Sequence, residues 1–308
     1  PDSGIRDSVA SRGLGDVYKR QKKQSVIVQG ITGKFGSVHT RLMLEYGTNI
    51  VAGVTPGKGG KQFDDKIPIY ESVKDAVDAS DAKISIVFVP AKYFLNAARE
   101  ALEAGIKLLI AIPEHVPIRD TMEVIQIAKE KDAIMIGPNT PRVIIPDLIK
   151  IGIMPAGPYT PGNIAVLSKS GTLLYEISNN LSSAGFGQNI TIGIGGDPIN
   201  GTRMIDAFDM IKDDPGLEGM VIVGEIGGDA EEVLAQHIID IGFKKPIVGY
   251  IAGRRAPKEK RMGHAGAIVM GNYGSAESKI NMFTKANIPV ANRPGEVAVL
   301  LAGKMSSQ

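Results

Sequence analysis

From residue 25 onward the chain alternates short, β-branched apolar runs with longer amphipathic stretches, and few folds accept that rhythm. SVIVQG, NIVAGV, ISIVFVP, KLLIAI and AIMIGP have the unbroken hydrophobicity of strands buried on both faces. Between them VHTRLMLEYG, SVKDAVDA, FLNAAREALEAG and TMEVIQIAKEKD repeat apolar residues at helical spacing. Such alternation lays strands parallel with helices on both faces, so an α/β, doubly wound domain is expected over residues 25–150. The stretch IMPAGPYTPGN, 153–163, has no period and marks the boundary. After it the rhythm resumes with strands IAVLS, ITIGIG, GMVIVGE, PIVGYIA and ANIPVAN, and helices TLLYEISNNLSSAG, RMIDAFDMIKDD, AEEVLAQHIIDIG and AESKINMFTKAN. A second doubly wound domain is expected over 151–308. Residues 1–24 precede the first strand without either period; they are expected to be a disordered tail or an expression or assembly artefact.

Charge and composition remove several classes of function. A formal net charge of +2 over 308 residues gives no field for nucleic acid or an anionic membrane, so any anion site is local. With no cysteine there are no disulfides, thiolate metal sites or cysteine nucleophile, which fits a reducing cytoplasm. No apolar run is long enough for a membrane span, and a soluble protein is expected.

The first strand runs into GITGKFGSVHTRLML, 30–44, where Gly30, Gly33 and Gly36 bring backbone amides and a helix N-terminus toward a phosphate. A dinucleotide site places an acid about 20 residues further on to hold ribose hydroxyls. Here the second strand ends instead in VAGVTPGKGGK, with Lys58 in a glycine loop. A cation at that edge suits a phosphorylated ribose; a solvated lysine in a mobile loop is the plain alternative. NAD is disfavoured on either account.

In the second half, Ser168, Ser170, Gly171 and Thr172 of SKSGTLLYE lead straight into a helix, as an anion site or an ordinary cap does. Glu225 leaves the end of an apolar strand and meets Gly227 and Gly228, where its carboxylate can face a ligand or an imidazole. Glu231 and Glu232 are expected on a solvated helix face near its N-terminus. Of four histidines, His39, His115 and His237 fall in a helix, a proline-flanked loop and a helix, as structural or surface groups. His264 stands in KRMGHAGAIV among glycines and alanines. On the residues alone a lone loop histidine does not require catalysis. A histidine nucleophile, its second nitrogen held by a carboxylate, is the sharper reading.

Taken together and in order, GITGKFG, VTPGKGGK, MIGPNTP, SKSGTLLYE, GIGGDPINGT, GEIGGDAEE and GYIAGRRAPKEKRMGHAGAIV resemble the α subunits of succinyl-CoA synthetase (succinate–CoA ligase), in the ADP/GDP-forming acyl-CoA ligase superfamily. The resemblance implies a Rossmann-like CoA-binding domain followed by a flavodoxin-like ligase domain. It implies His264 as a nucleophile phosphorylated by ATP or GTP, bound with Mg on a separate β subunit, in an αβ or α2β2 assembly. Phosphoryl transfer to succinate and attack by CoA would follow, giving succinyl-CoA and phosphate. By the same match Thr32, Gly33, Lys34, Phe35 and Lys58 contact CoA, and Ile112, Pro113 and Glu114 border it. Ser168, Ser170, Gly171 and Thr172 point a helix start at the phosphohistidine, Tyr175 contacts substrate, and Glu225 orients His264. The small residues of GHAGA would give the phosphorylated ring room to swing.

The sequence departs from the family pattern at Pro113, at Arg142 in a loop near the expected acid site, at Glu259, and in GNYGSA, 271–276. These departures leave malate or another small carboxylate, or a citrate-cleaving CoA enzyme, as alternatives for the substrate. A non-catalytic CoA-binding protein is the alternative of a different class, and the retained histidine and glutamate argue against it.

Overall fold

The structure, a computed structural model, describes residues 24–257, 262–269 and 274–307. Residues 1–23 of the expected tail, Glu259 and residues 271–273 lie outside the described residues, as does the side chain of Arg142. The chain divides into two compact units, not by a single cut. The first holds the chain to Arg142 with Leu148–Pro155 and Ile199–Thr202; the second holds Val143–Asp147, Ala156–Pro198 and the chain from Arg203.

The first unit runs β1 (Val26–Gln29), α1 (Lys34–Glu45), β2 (Ile50–Val54), β3 (Gln62–Phe63), β4 (Ile67–Tyr70), α2 (Val73–Ser80), β5 (Ile84–Val87), α3 (Ala91–Glu103), β6 (Leu108–Ala111), α4 (Ile118–Glu130) and β7 (Ile134–Ile136). Its sheet has the order β3-β4-β2-β1-β5-β6-β7, parallel but for the antiparallel edge strand β3. Leaving out β3, this is the Rossmann order 3-2-1-4-5-6, with its switch point between β1 and β5. Ile27, Val54, Leu109, Phe94 and Val124 fill the space between sheet and helices. Burial of that apolar surface is what holds the helices to the sheet.

β8 (Arg142–Ile145) and β9 (Ile149–Gly152) come next, and Arg142 therefore opens a strand instead of standing in a loop. β9 counts with the first unit, where Thr48 Oγ1 donates to the Lys150 carbonyl at 2.7 Å. The second unit continues with β10 (Pro161–Ser168), α5 (Gly171–Ser183), β11 (Gln188–Gly193), α6 (Met204–Ile211), β12 (Gly219–Glu225), α7 (Ala230–Asp240), β13 (Ile247–Ala252), α8 (Ala276–Lys285), β14 (Val290–Ala291) and α9 (Val297–Met305).

Its strands lie in the order β14-β13-β12-β10-β11-β8, parallel except that β8 runs against β11. From β11 to β14 this is the flavodoxin-like order 2-1-3-4-5, with the switch point between β10 and β12. Ile164, Val221, Val248, Leu174 and Leu301 form the core. A satellite cluster of Ile226, Ala267 and Val269 anchors the segment after His264 beneath the end of β12. No helix of the described residues is long and apolar enough to cross a membrane.

Candidate active site

In the first unit, the ends of β1, β2, β5 and β6 carry the candidate residues to one edge of the sheet, where open α/β sheets bind ligands. α1 starts at Lys34 behind Gly33, whose backbone is extended and which supplies no side-chain cap, so the first amides of the helix are not taken by a capping side chain. A Cβ on Gly36 would collide with the Gly30 carbonyl oxygen, and that close approach brings the helix start over the turn. Phe35 is 51% exposed and packs edge-on against His39 at 4.4 Å between centroids. His39 in turn stacks at 6.0 Å on Phe88 at the end of β5, and burial pushes its imidazole below the ordinary range, with Lys150 adding to the effect.

Lys58 Nζ donates to Thr32 Oγ1 at 3.1 Å, so the cation of the second loop sits over the glycine turn. The backbone of that loop is tied to Glu71, while Lys58 itself is exposed. The Glu71 carboxylate accepts from the Gly57 and Gly59 amides, each at 2.6 Å, and those two hydrogen bonds lower its pKa. At the end of β6 Ile112 and Pro113 are buried and Glu114 is exposed.

In the second unit, His264 Nδ1 lies 2.7 Å from Glu225 Oε2, the last residue of β12. His264 is 29% exposed and Glu225 10%, so the pair sits at the surface of the switch-point edge with its carboxylate mostly sheltered. With a proton on Nδ1 shared with the carboxylate, the lone pair resides on Nε2, and the ring is set for nucleophilic work at that atom. Its loop is tied down by the Gly266 amide donating to the Gly196 carbonyl at 3.2 Å. Gly227, at φ +93°, lets the β12 loop pass so close to Gly266 that a Cβ would strike the Gly266 carbonyl oxygen.

The small residues of GHAGA are expected to give the phosphorylated ring room to swing; where the ring stands in the structure, it is bounded from outside that stretch. A Cβ on Gly266 would meet only ordinary contacts at 3.4–3.6 Å, with Gly196 and Asp197 and not with the ring. The clearance comes from Gly196, after β11: a Cβ there would fall on Cγ of His264.

β10, which pairs with both β11 and β12, delivers the helix start to the same edge. Ser168 is fully buried, its hydroxyl donating to the Ser170 carbonyl at 2.8 Å and accepting from the Ser170 amide at 3.1 Å, so it shapes the turn. Ser170 caps α5 through the Leu173 amide at 3.3 Å, and Gly171 and Thr172 follow at the surface. Tyr175 lies one turn into the helix, 36% exposed.

Glu231 contradicts its assignment to a solvated face: it is fully buried, with its neighbour Glu232 half-buried. The reason is on its helix. Glu231 shares the buried stripe of α7 with Leu234, Ala235 and Ile238, and Lys279 shares that of α8 with Phe283. Acid and base on two apolar stripes can be buried only by meeting, and they form an ion pair. Charged residues at helical spacing with buried apolar ones were the available signal.

A family model described as a CoA binding domain matches residues 21–115, and one described as CoA-ligase matches residues 167–288. Succinate–CoA ligase (ADP-forming) subunit alpha 2 of Archaeoglobus fulgidus is 48% identical over 281 residues, 91% of this chain and 97% of that one. The corresponding subunit alpha of Methanothermobacter thermautotrophicus is 47% identical over 88% of this chain and 91% of its own length. Among solved structures, ATP citrate lyase from Methanothrix soehngenii in complex with citrate and coenzyme A is similar at TM-score 0.82 and 23% identity, over 93% of this chain and 50% of that one. The apo form of a dinucleotide-forming acetyl-coenzyme A synthetase from Ca. Korarchaeum cryptofilum gives TM-score 0.70 at 20% identity, over 89% of this chain and 59% of that one. The chain thus spans only about half to three-fifths of these two structures, with which it shares the fold. Identity approaching one half along nearly the whole length of named relatives carries more: the chain belongs to the family of succinate–CoA ligase α subunits.

Proposed function

We propose that this chain is the phosphoryl-carrying α subunit of a succinate–CoA ligase, with His264 as nucleophile and Glu225 as the group that orients it. The observation that carries this reading is the 2.7 Å contact from His264 Nδ1 to Glu225 Oε2 at the switch-point edge of the second unit. Nε2 of His264 attacks the terminal phosphorus of a nucleoside triphosphate held with Mg by the β subunit; the N–P bond forms and the nucleoside diphosphate leaves. A succinate carboxylate oxygen then takes the phosphoryl group, restoring the imidazole. The CoA sulfur attacks the resulting acyl carbon, and inorganic phosphate departs as the thioester forms. The amides of Gly171 and Thr172 at the helix start behind Ser170 stabilise phosphoryl oxygens in transit, and Tyr175 lies one turn on to meet substrate.

Residues 25–150 bind CoA and residues 151–308 carry the phosphohistidine. The turn Thr32, Gly33, Lys34 and Phe35 receives the phosphates, Lys58 the ribose phosphate, and Ile112, Pro113 and Glu114 border the ligand. The working unit is an αβ pair, single or doubled to α2β2. Absence of cysteine from all 308 residues supports a reducing, cytoplasmic setting.

The test is thioester formation by the α subunit assembled with its β subunit, using succinate, malate and citrate in parallel. Succinate is expected to turn over fastest; preference for another acid would replace the substrate, and no thioester from any would overturn the reading. Glu225→Gln keeps an acceptor for Nδ1 but removes the charge. It is expected to slow phosphohistidine formation by about 10–100-fold with little change in nucleotide KM, as loss of an orienting partner does elsewhere. Rapid-quench labelling with γ-labelled nucleotide measures it. Lys58→Ala is expected to weaken CoA about tenfold while leaving the labelling rate of His264 unchanged, measured by titration calorimetry.

A further inference from the structure

The Glu231 carboxylate joins the loops on which the proposed chemistry rests. Its Oε1 accepts from the Glu225 amide at 3.1 Å and lies 3.3 Å from Lys169 Nζ. Its Oε2 pairs with Lys279, whose ammonium also donates to the Gly227 carbonyl at 2.8 Å. Lys169 stands between Ser168 and Ser170 in the turn that starts α5, and Glu225 and Gly227 bracket the turn after β12. One buried acid thus ties the helix start to the backbone of the residue that holds His264. Space there is tight: a Cβ on Gly224 would overlap the Glu231 side chain.

Stability alone does not account for the arrangement. A buried ion pair is generally no better for stability than apolar side chains of the same volume, because desolvation offsets the attraction. Burial does oppose ionisation of Glu231. Lys169 and Lys279, with the hydrogen bonds from Lys279 and the Glu225 amide, outweigh it and hold the carboxyl below the usual range. Burial likewise pulls the Lys279 ammonium down against the attraction of Glu231. What charged groups supply here, and an apolar filling would not, is directional bonds to two backbone groups of the β12 turn.

We propose that Lys169, Glu231 and Lys279 are positioning residues that set the register between the carboxylate orienting His264 and the helix start that receives its phosphoryl group. The proposal rests on His264 being the nucleophile. Replacing the pair together, Glu231→Met with Lys279→Met, removes the bonds to the Glu225 amide and the Gly227 carbonyl without leaving a fully buried charge; Lys169, which loses its acid partner, is 16% exposed.

In the complex with the β subunit, wild-type labelling from γ-labelled nucleotide first checks the nucleophile itself; an unlabelled wild type would sink that reading, not this one. Given a labelled wild type, the double variant is expected to form phosphohistidine about 10–100-fold more slowly, with nucleotide KM and CoA affinity within twofold. Its imidazole ¹⁵N resonances are expected to move from a single Nδ1–H tautomer to a mixture. Should the double variant not fold, Glu231→Asp, which keeps the charge and withdraws it by one methylene, is expected to show the same loss. Lys279→Arg is expected to recover most of the rate. A wild-type rate and tautomer in the folded double variant or in Glu231→Asp would overturn the proposal. So would a lowered Tm with the tautomer unchanged, which is the mark of a purely structural role.

Discussion

His264→Ala is expected to abolish labelling by γ-labelled ATP and GTP and to lower thioester formation by roughly 10⁴-fold or more, as deletion of a covalent nucleophile does in other group-transfer enzymes. The structure indicates why the loss should be confined to chemistry. The side chain is 29% exposed, so its removal opens no sealed cavity, and the loop keeps its backbone bonds from Gly266 to Gly196 and from Ala267 to the His264 carbonyl. The Ile226, Ala267 and Val269 cluster beneath it is untouched. Tm should therefore stay within a few degrees of wild type. Affinity for CoA, proposed for the other unit, should not change. The variant leaves Glu225 without its imidazole, so added imidazole is expected to restore a small part of the turnover. Acid-labile label persisting on the alanine variant would remove His264 from the nucleophile's place, whatever the turnover.

Central strands were legible because burial on both faces writes unbroken apolar runs; Val26–Gln29, Ile84–Val87 and Gly219–Glu225 fall where the sequence puts them. Edge elements were not. β3 and β4 alternate with exposed residues, and β8 and β9 flank a turn at Asp147, so none of the four reads as a central strand. α9 is apolar nearly all round, VAVLLAGKM, and lacks the two-faced pattern that identifies a surface helix. For the site, glycine spacing and a histidine in a bare loop were visible along the chain. The Glu71 bridge to Gly57 and Gly59, across 14 and 12 residues, is a tertiary contact with no local signature. Glu231 misled because an acid in the first turn of a helix already has an explanation in the helix dipole, whereas its place on the buried stripe shows only once the stripe is drawn.

The same distinction between near and distant sequence governs Gly196, which lies 68 residues from His264 and bounds its ring. Its backbone is outside the left-handed region, so alanine can adopt it without strain, and the effect of Gly196→Ala must come from the added methyl alone. That methyl would overlap Cγ, Cδ2 and Nδ1 of His264, the last of which makes the 2.7 Å contact with Glu225. Either the ring yields or the loop after β11 does; the loop is buried from Gly193 to Gly196 and accepts the Gly266 amide, whereas the ring is partly exposed. The ring is expected to yield, by about 1 Å, and a displacement of that size at a reacting group costs on the order of 10²-fold. Gly196→Ala should thus lower the labelling rate about 100-fold, with CoA affinity and Tm close to wild type. Gly266→Ala, whose Cβ would meet only ordinary contacts at 3.4–3.6 Å, should keep most of the rate although it is two residues from His264. Rapid-quench labelling of both variants in complex with the β subunit measures the contrast. If Gly196→Ala were as fast as wild type, the ring would not need the place against Gly196 in which it stands; if Gly266→Ala were the slower, proximity along the chain and not clearance would govern the histidine.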